Sequence, residues 1–275
     1  MGPESKQSGI FVDRQVELLR VKGALLNRQN LMLCGSPGIG KTALLLQVLA
    51  SLPQALAGRC LYLPGMKDLL DLLRQLVRRL YAVKDPCLRR QLHADGVTAA
   101  AFAAWLHAQT SSHLRGALYR AFERSTYRVV LDHLPPLTHG TAKIIKELFW
   151  MRNTPVYLVP CGLNQDAITR LSRFFYWGHT ERLALGPLPT PAACQLLEDC
   201  ITRFGLAKLE LEGFRDEVIR LSGRVPGAIV SMCSLAADPR YQYGRLLKTK
   251  LIHIDYLMSS ESLAASRQNA APYQL

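Results

Sequence analysis

The chain has 275 residues, 49% apolar and 20% charged, which is enough to bury one large core or a core with a small satellite domain, so a globular fold is expected. No stretch approaches the roughly 18 uninterrupted apolar residues of a membrane span, and no apolar signal-peptide core opens the sequence, so a soluble, cytoplasmic protein is expected. Thirty-four Lys and Arg against 21 Asp and Glu give a net charge of +13, which implies a polyanionic partner such as DNA or RNA, although the basic residues are dispersed over many helical segments as solvated faces would be.

The segment "FVDRQVELLRVKGALL" (11–26) spaces its apolar residues for a helix from about residue 14, with Asp13 as cap. "NLMLCG" (30–35) is a short apolar run ended by glycine, the pattern of a buried strand, and "KTALLLQVLASL" (41–52) reads as helix. A second strand, "RCLYLP" (59–64), precedes an amphipathic helix over 66–83 with its leucines on one stripe. The helical pattern breaks at Pro86 and Gly96 and resumes over 98–125, a length that Gly116 or the pair Ser111 and Ser112 would divide. Strands "YRVVLD" (127–132) and "PVYLVPCG" (155–162) flank a helix over 139–152, and "ERLALGPL" (181–188) adds a fifth strand.

Short apolar strands alternating with helices predict an α/β fold, a parallel sheet sandwiched by helices. After Pro189 only helical patterns remain, over 190–205, 212–223 and 225–238. The expected organisation is therefore an α/β domain over 8–188, an all-helical lid over 189–258 and a polar, small-residue-rich tail over 259–275 that would be disordered. The seven cysteines (34, 60, 87, 161, 194, 200 and 233) match no zinc or thioredoxin spacing and read as small buried hydrophobes.

The chemistry lies in "GSPGIGKT", Gly35 to Thr42, which fits G-x-x-x-x-G-K-[ST] between a predicted strand and a predicted helix. Gly35, Gly38 and Gly40 let the backbone curl round a phosphate with its N–H groups inward, Ser36, Pro37 and Ile39 complete the loop, and Ala43 follows on the helix whose N-terminus adds positive charge. Lys41 would reach the β and γ phosphates of ATP and Thr42 would place its hydroxyl on Mg²⁺. Asp132, at the end of "YRVVLD", lies where such sheets bind ligands and can hold Mg²⁺ through a water; "CLYLPG" carries no acid and cannot. His133 follows it where a glutamate would activate the attacking water, and is either a catalytic base or a polar cap of the strand end. Glu147 is a further candidate base by position alone.

Together these motifs resemble the AAA+ and STAND superfamily of P-loop NTPases, particularly its origin-recognition-like and transposition-regulator-like ATPases, over roughly residues 10 to 240. The resemblance implies that "FVDRQVELLRVKGAL" is the N-terminal box, with Phe11, Val12 and Arg14 near the adenine, and that "GSPGIGKT" and "RVVLDH" are Walker A and Walker B. "PVYLVPCG" is similar to the sensor 1 strand, with Cys161 and Asn164 as its nearest polar candidates. "ITRLSRFFYWGHTERLALGPLPTP" is similar to the segment carrying an arginine finger, for which Arg173 fits best and Arg170 next. "LSGRVPGAI" resembles the lid motif that brings Pro226 to the nucleotide. Relatives often carry arginine at the position of Gly227, which Arg224 would replace here. His133 and Gly227 both weaken hydrolysis without touching binding. The resemblance thus implies an ATP- and Mg²⁺-binding assembly switch with slow hydrolysis, acting as a homo-oligomer or on a partner protein. The alternative is a non-hydrolysing, ATP-dependent DNA- or protein-binding regulator.

Overall fold

In the computed structural model, three apolar runs form the middle of a parallel sheet; the structure describes residues 11–135, 137–151, 154–160 and 180–269, with side chains to 259. The strands are β1 (Leu31–Cys34), β2 (Cys60–Leu63), β3 (Arg128–Leu134), β4 (Val156–Pro160) and β5 (Glu181–Ala184), in the order β2-β3-β4-β1-β5 with every ladder parallel. β1 and β4 are buried throughout, as strands covered on both faces must be, whereas the edge strands β2 and β5 alternate in exposure.

The chain divides into two compact units, one comprising Val16–Gly35 and Leu45–Ala184, the other Met1–Gln15, Ser36–Leu44 and Leu185–Leu275. In the first, the pleat sorts side chains by parity. Leu61, Leu63, Val129, Leu131, Val156 and Leu158 share one core with α4 (Leu69–Ala82), α5 (Pro86–Ala94), α6 (Phe102–Ala108), α7 (Ser111–Arg124) and α8 (His139–Trp150). Residues of the opposite parity serve the other face. There Tyr157 Oη donates to the Ala24 carbonyl (3.0 Å) and Arg128 Nε to the Leu25 carbonyl (2.6 Å) of α1 (Gln15–Leu26).

Local chemistry explains where the observed helices depart from those expected. α1 begins at Gln15, so Arg14 rather than Asp13 precedes it, and both Asp13 and Arg14 have left-handed backbone (φ 61° and 68°). α5 occupies the stretch read as a break: Asp85 caps it and Pro86 opens it, a combination that starts helices rather than ending them. The long helical stretch does divide, but at Gln109 and Thr110, where the Thr110 hydroxyl accepts from the His113 N–H at 3.3 Å; Gly116 lies inside α7 under the Arg120 guanidinium. β5 ends at Ala184, short of the expected 188.

Asp85 is fully buried and accepts from the Leu88 N–H (2.8 Å) and from Tyr127 Oη (2.6 Å). Asp85→Ala removes the cap and strands a buried phenol, so unfolding in urea should show a loss of about 2–4 kcal/mol.

The second unit carries only the start of α2 (Lys41–Ala50), through Leu44; the rest of α2 and the short α3 (Gln54–Ala57) belong to the first. The second unit also carries the helices expected as a lid, α9 (Thr190–Arg203), α10 (Phe214–Leu221), α11 (Pro226–Ala236) and α12 (Thr249–Asn269). Their core includes Leu197, Cys200, Phe214, Ile229, Met232 and Ile252. A small antiparallel hairpin, β6 (Gln242–Tyr243) and β7 (Leu246–Leu247), turns at Gly244 (φ 60°) and interrupts the helices. α12 continues to Asn269, through most of the stretch read as a tail; 270–275 lie outside the described residues. Among the described residues no helix is long and apolar enough to cross a membrane.

Candidate nucleotide site

The sequence that follows β1 forms a loop of the expected character. Gly35, Gly38 and Gly40 all have positive φ (147°, 74° and 99°), the two latter in a range that side-chain-bearing residues rarely adopt. A Cβ at Gly40 would meet nothing within 4 Å, so this glycine serves conformation rather than space. Lys41 is buried, and its Nζ donates to the Ser36 carbonyl at 3.0 Å, which ties the ammonium to the loop it belongs to. The Leu44 N–H bonds the Gly40 carbonyl at 2.9 Å and starts the helical ladder directly after Lys41 and Thr42.

Two further segments of the same unit hold this loop by its carbonyls. The buried Arg14 guanidinium donates from Nη2 to the carbonyls of Ile39 (3.2 Å) and Gly186 (2.6 Å), so it buttresses the loop and the entry to the lid together. Val12 packs against the lid core, and Phe11 is half-buried. From the other direction α11 arrives by its N-terminus, with Pro226 in its first turn and the Gly227 N–H donating to the Gly38 carbonyl at 2.8 Å.

This contact gives a physical reason for the glycine at 227. A Cβ there would lie 2.8 Å from Gly38 Cα and 2.9 Å from its carbonyl oxygen, so no arginine fits while the two backbones remain in contact. Arg224 does not take over the position. Its Nη1 lies 3.4 Å from the Thr190 hydroxyl, and its left-handed backbone (φ 62°) accepts the Leu188 N–H at 3.1 Å.

In the sheet unit, Gly35 closes β1 and Asp132 lies near the end of β3; parallel strands put both at the carboxyl edge, where open α/β sheets bind ligands. Asp132 is fully buried, and both of its oxygens are engaged. Oδ1 accepts the His133 main-chain N–H at 2.8 Å and Oδ2 accepts Tyr62 Oη at 2.9 Å. Burial, and then the Asp132 charge and hydrogen bond, push the Tyr62 phenol well above its ordinary pKa, so at neutral pH it stays protonated and donates.

His133 has an exposed side chain and left-handed backbone (φ 46°), where the β3–β4 register slips between Leu131 and Leu134. The bulge turns its N–H back onto the carboxylate before it. Glu147 is committed elsewhere, to Arg115 (3.2 Å) and to Tyr119 of α7. Arg170, Arg173, Cys161 and Asn164 lie outside the described residues.

Tyr62 is the residue that sequence reasoning missed. β2 carries no acid of its own, yet its tyrosine holds the acid of the neighbouring strand. Tyr62 pairs in register with Val130, so Asp132, two residues further along, is on the same face within reach of a phenol. Among the described residues no group of three or more His, Cys, Asp or Glu could hold a metal ion.

A parallel sheet flanked by helices, with a glycine-lysine-threonine loop after β1 and a buried aspartate ending β3, defines the fold of a P-loop ATPase. The AAA ATPase domain family model matches residues 11–159, more than half of the chain, and the chain belongs to that family.

Solved structures agree on the fold. The Walker-type ATPase PABY2304 of Pyrococcus abyssi superposes with a TM-score of 0.60 at 14% identity, over 98% of this chain and 77% of that one. The Aeropyrum pernix ORC2 protein, in its ADPNP–ADP complexes, gives 0.54 at 16% identity over 99% and 72%. The Aeropyrum pernix ORC1 protein in complex with DNA gives 0.53 at 16% over 92% and 66%. No curated protein sequence matches the chain.

Proposed function

We propose that the chain is an ATP-dependent assembly switch with slow hydrolysis. ATP would be held by Gly35 to Ala43, with Lys41 on the β and γ phosphates and the backbone N–H groups of the loop around them. Thr42 and Asp132 would hold Mg²⁺, which neutralises phosphate charge when bound. Phe11, Val12, Arg14 and Pro226 would border the base, and Arg173 would reach the nucleotide of a neighbouring copy. His133, which lacks the negative charge and the reach of a glutamate for orienting water, would limit turnover.

One observation carries this reading: Arg14 and Gly227 bond adjacent carbonyls of the phosphate loop, those of Ile39 and Gly38. A loop that changes on binding phosphate must therefore pull on the N-terminal segment and the lid, which is what a switch needs. Phosphate release by the whole chain tests the hydrolytic half. Turnover is expected to be slow and to fall further in His133→Ala. Release that is fast, or indifferent to His133, would contradict the role given to that residue.

A second reading, a non-hydrolysing regulator that binds DNA, has its own support. A cleft of about 640 Å³ in the sheet unit is lined by Arg59, Lys84 and Arg124 together with Ser125 and Thr126, and by no carboxylate. The DNA-bound state of the ORC1 neighbour belongs to that protein, but it makes nucleic acid the natural polyanion to try. Filter binding of a duplex oligonucleotide should weaken roughly fortyfold between about 50 and 200 mM salt if three phosphates are contacted. The slope should flatten in Lys84→Ala and Arg124→Ala. A salt-independent isotherm, or none, would leave the cleft without this role.

A further inference from the structure

The Asp132 carboxylate is gripped from two sides. Its backbone-side donor, the His133 N–H, is available only because His133 adopts left-handed backbone in the β3–β4 bulge. Its other donor comes from a different strand: Tyr62 of β2 spans to Oδ2 from the position in register with Val130. Without the phenol hydroxyl, Oδ2 loses this donor and the carboxylate plane loses one of the two bonds that fix it. With both in place, each oxygen has a donor of fixed direction, which sets the orientation of the carboxylate.

We infer that Tyr62 is a positioning residue for the metal-holding carboxylate, orienting Asp132 toward the Mg²⁺ that accompanies the nucleotide. This rests on the proposed role of Asp132 as the Mg²⁺ ligand. Tyr62 acts through Asp132 and need not touch metal or nucleotide. Loss of a partner that orients a ligating carboxylate typically costs about 10–100-fold in metal affinity. Replacing tyrosine by phenylalanine keeps the ring and its packing and removes only the donor.

The test titrates Mg²⁺ into wild type, Tyr62→Phe, Asp132→Asn and the double variant, each with a fluorescent ATP analogue, after measuring analogue binding in EDTA. Tyr62→Phe is expected to raise the half-saturating Mg²⁺ concentration about tenfold. Metal-free analogue affinity should remain near wild type, thermal melting should fall only by what the one lost hydrogen bond contributes, and Tyr62→Phe should add no further shift on the Asp132→Asn background. Wild-type Mg²⁺ dependence in Tyr62→Phe would overturn the assignment while leaving Asp132 as ligand. An equal loss of analogue affinity in EDTA would overturn it too, because the tyrosine would then serve the fold. If Asp132→Asn itself responds to Mg²⁺ like wild type, the reading of Asp132 falls and Tyr62's role with it.

Discussion

Gly227→Ala is expected to uncouple the lid from the phosphate loop. The added methyl would sit 2.8 Å from Gly38 Cα, 2.9 Å from the Gly38 oxygen and 3.3 Å from its carbonyl carbon, all backbone atoms with no rotamer to yield. One backbone must retreat, and the 2.8 Å bond from the Gly227 N–H to the Gly38 carbonyl breaks with it. Overpacking of this kind costs about 1–3 kcal/mol, and the lost hydrogen bond adds about 1 kcal/mol. Gly38 offers little spare room in return: its backbone is left-handed (φ 74°), and even a Cβ built on it would lie 3.5 Å from Gly227 Cα and from a Val225 methyl. Amide hydrogen exchange should report faster opening at the start of α11 and in residues 36–40, with exchange in the sheet strands unchanged. Protection identical to wild type throughout would show that the contact does not hold the two segments together.

Asp132→Asn should have the second large effect. The replacement is isosteric, so folding is spared, but a buried carboxylate that accepts from both Tyr62 and the His133 N–H becomes a neutral amide. With the amide oxygen kept on the His133 N–H, its NH₂ faces Tyr62 Oη, which must change from donor to acceptor and loses the partner of its own proton, at a local cost of about 1–3 kcal/mol. The larger consequence is for Mg²⁺: loss of a charged ligand should weaken Mg²⁺-dependent ATP binding about tenfold to a hundredfold, with ATP binding in EDTA little changed. Calorimetric titrations with and without Mg²⁺ separate the two. An undiminished Mg²⁺ effect would move the metal ligand away from β3.

Much of this was legible in the sequence because it depends on local pattern. The buried strands declared themselves as apolar runs, and the phosphate loop by glycines whose spacing reflects backbone conformation. What was illegible depends on which strands lie side by side. Nothing in "CLYL" says that Tyr62 registers with Val130, so its hold on Asp132 appears only once the order β2-β3 is known. Gly227 looked like the loss of an arginine, whereas the close approach of two backbones makes it a requirement. Pro86 alone reads as a break in the helical pattern, yet with Asp85 before it as cap it opens α5.

ATP binding by the full chain, measured at equilibrium for wild type and for Lys41→Ala, tests the central claim most directly. Lys41 is the buried ammonium of the loop, bonded to the Ser36 carbonyl, and removing it takes away the charge proposed to meet the phosphates. The expected result is saturable ATP binding by wild type and a loss of at least about a hundredfold in Lys41→Ala, in keeping with a charged contact worth about 3 kcal/mol. Equal affinity in the two proteins would contradict the assignment of Gly35 to Thr42 as the nucleotide site.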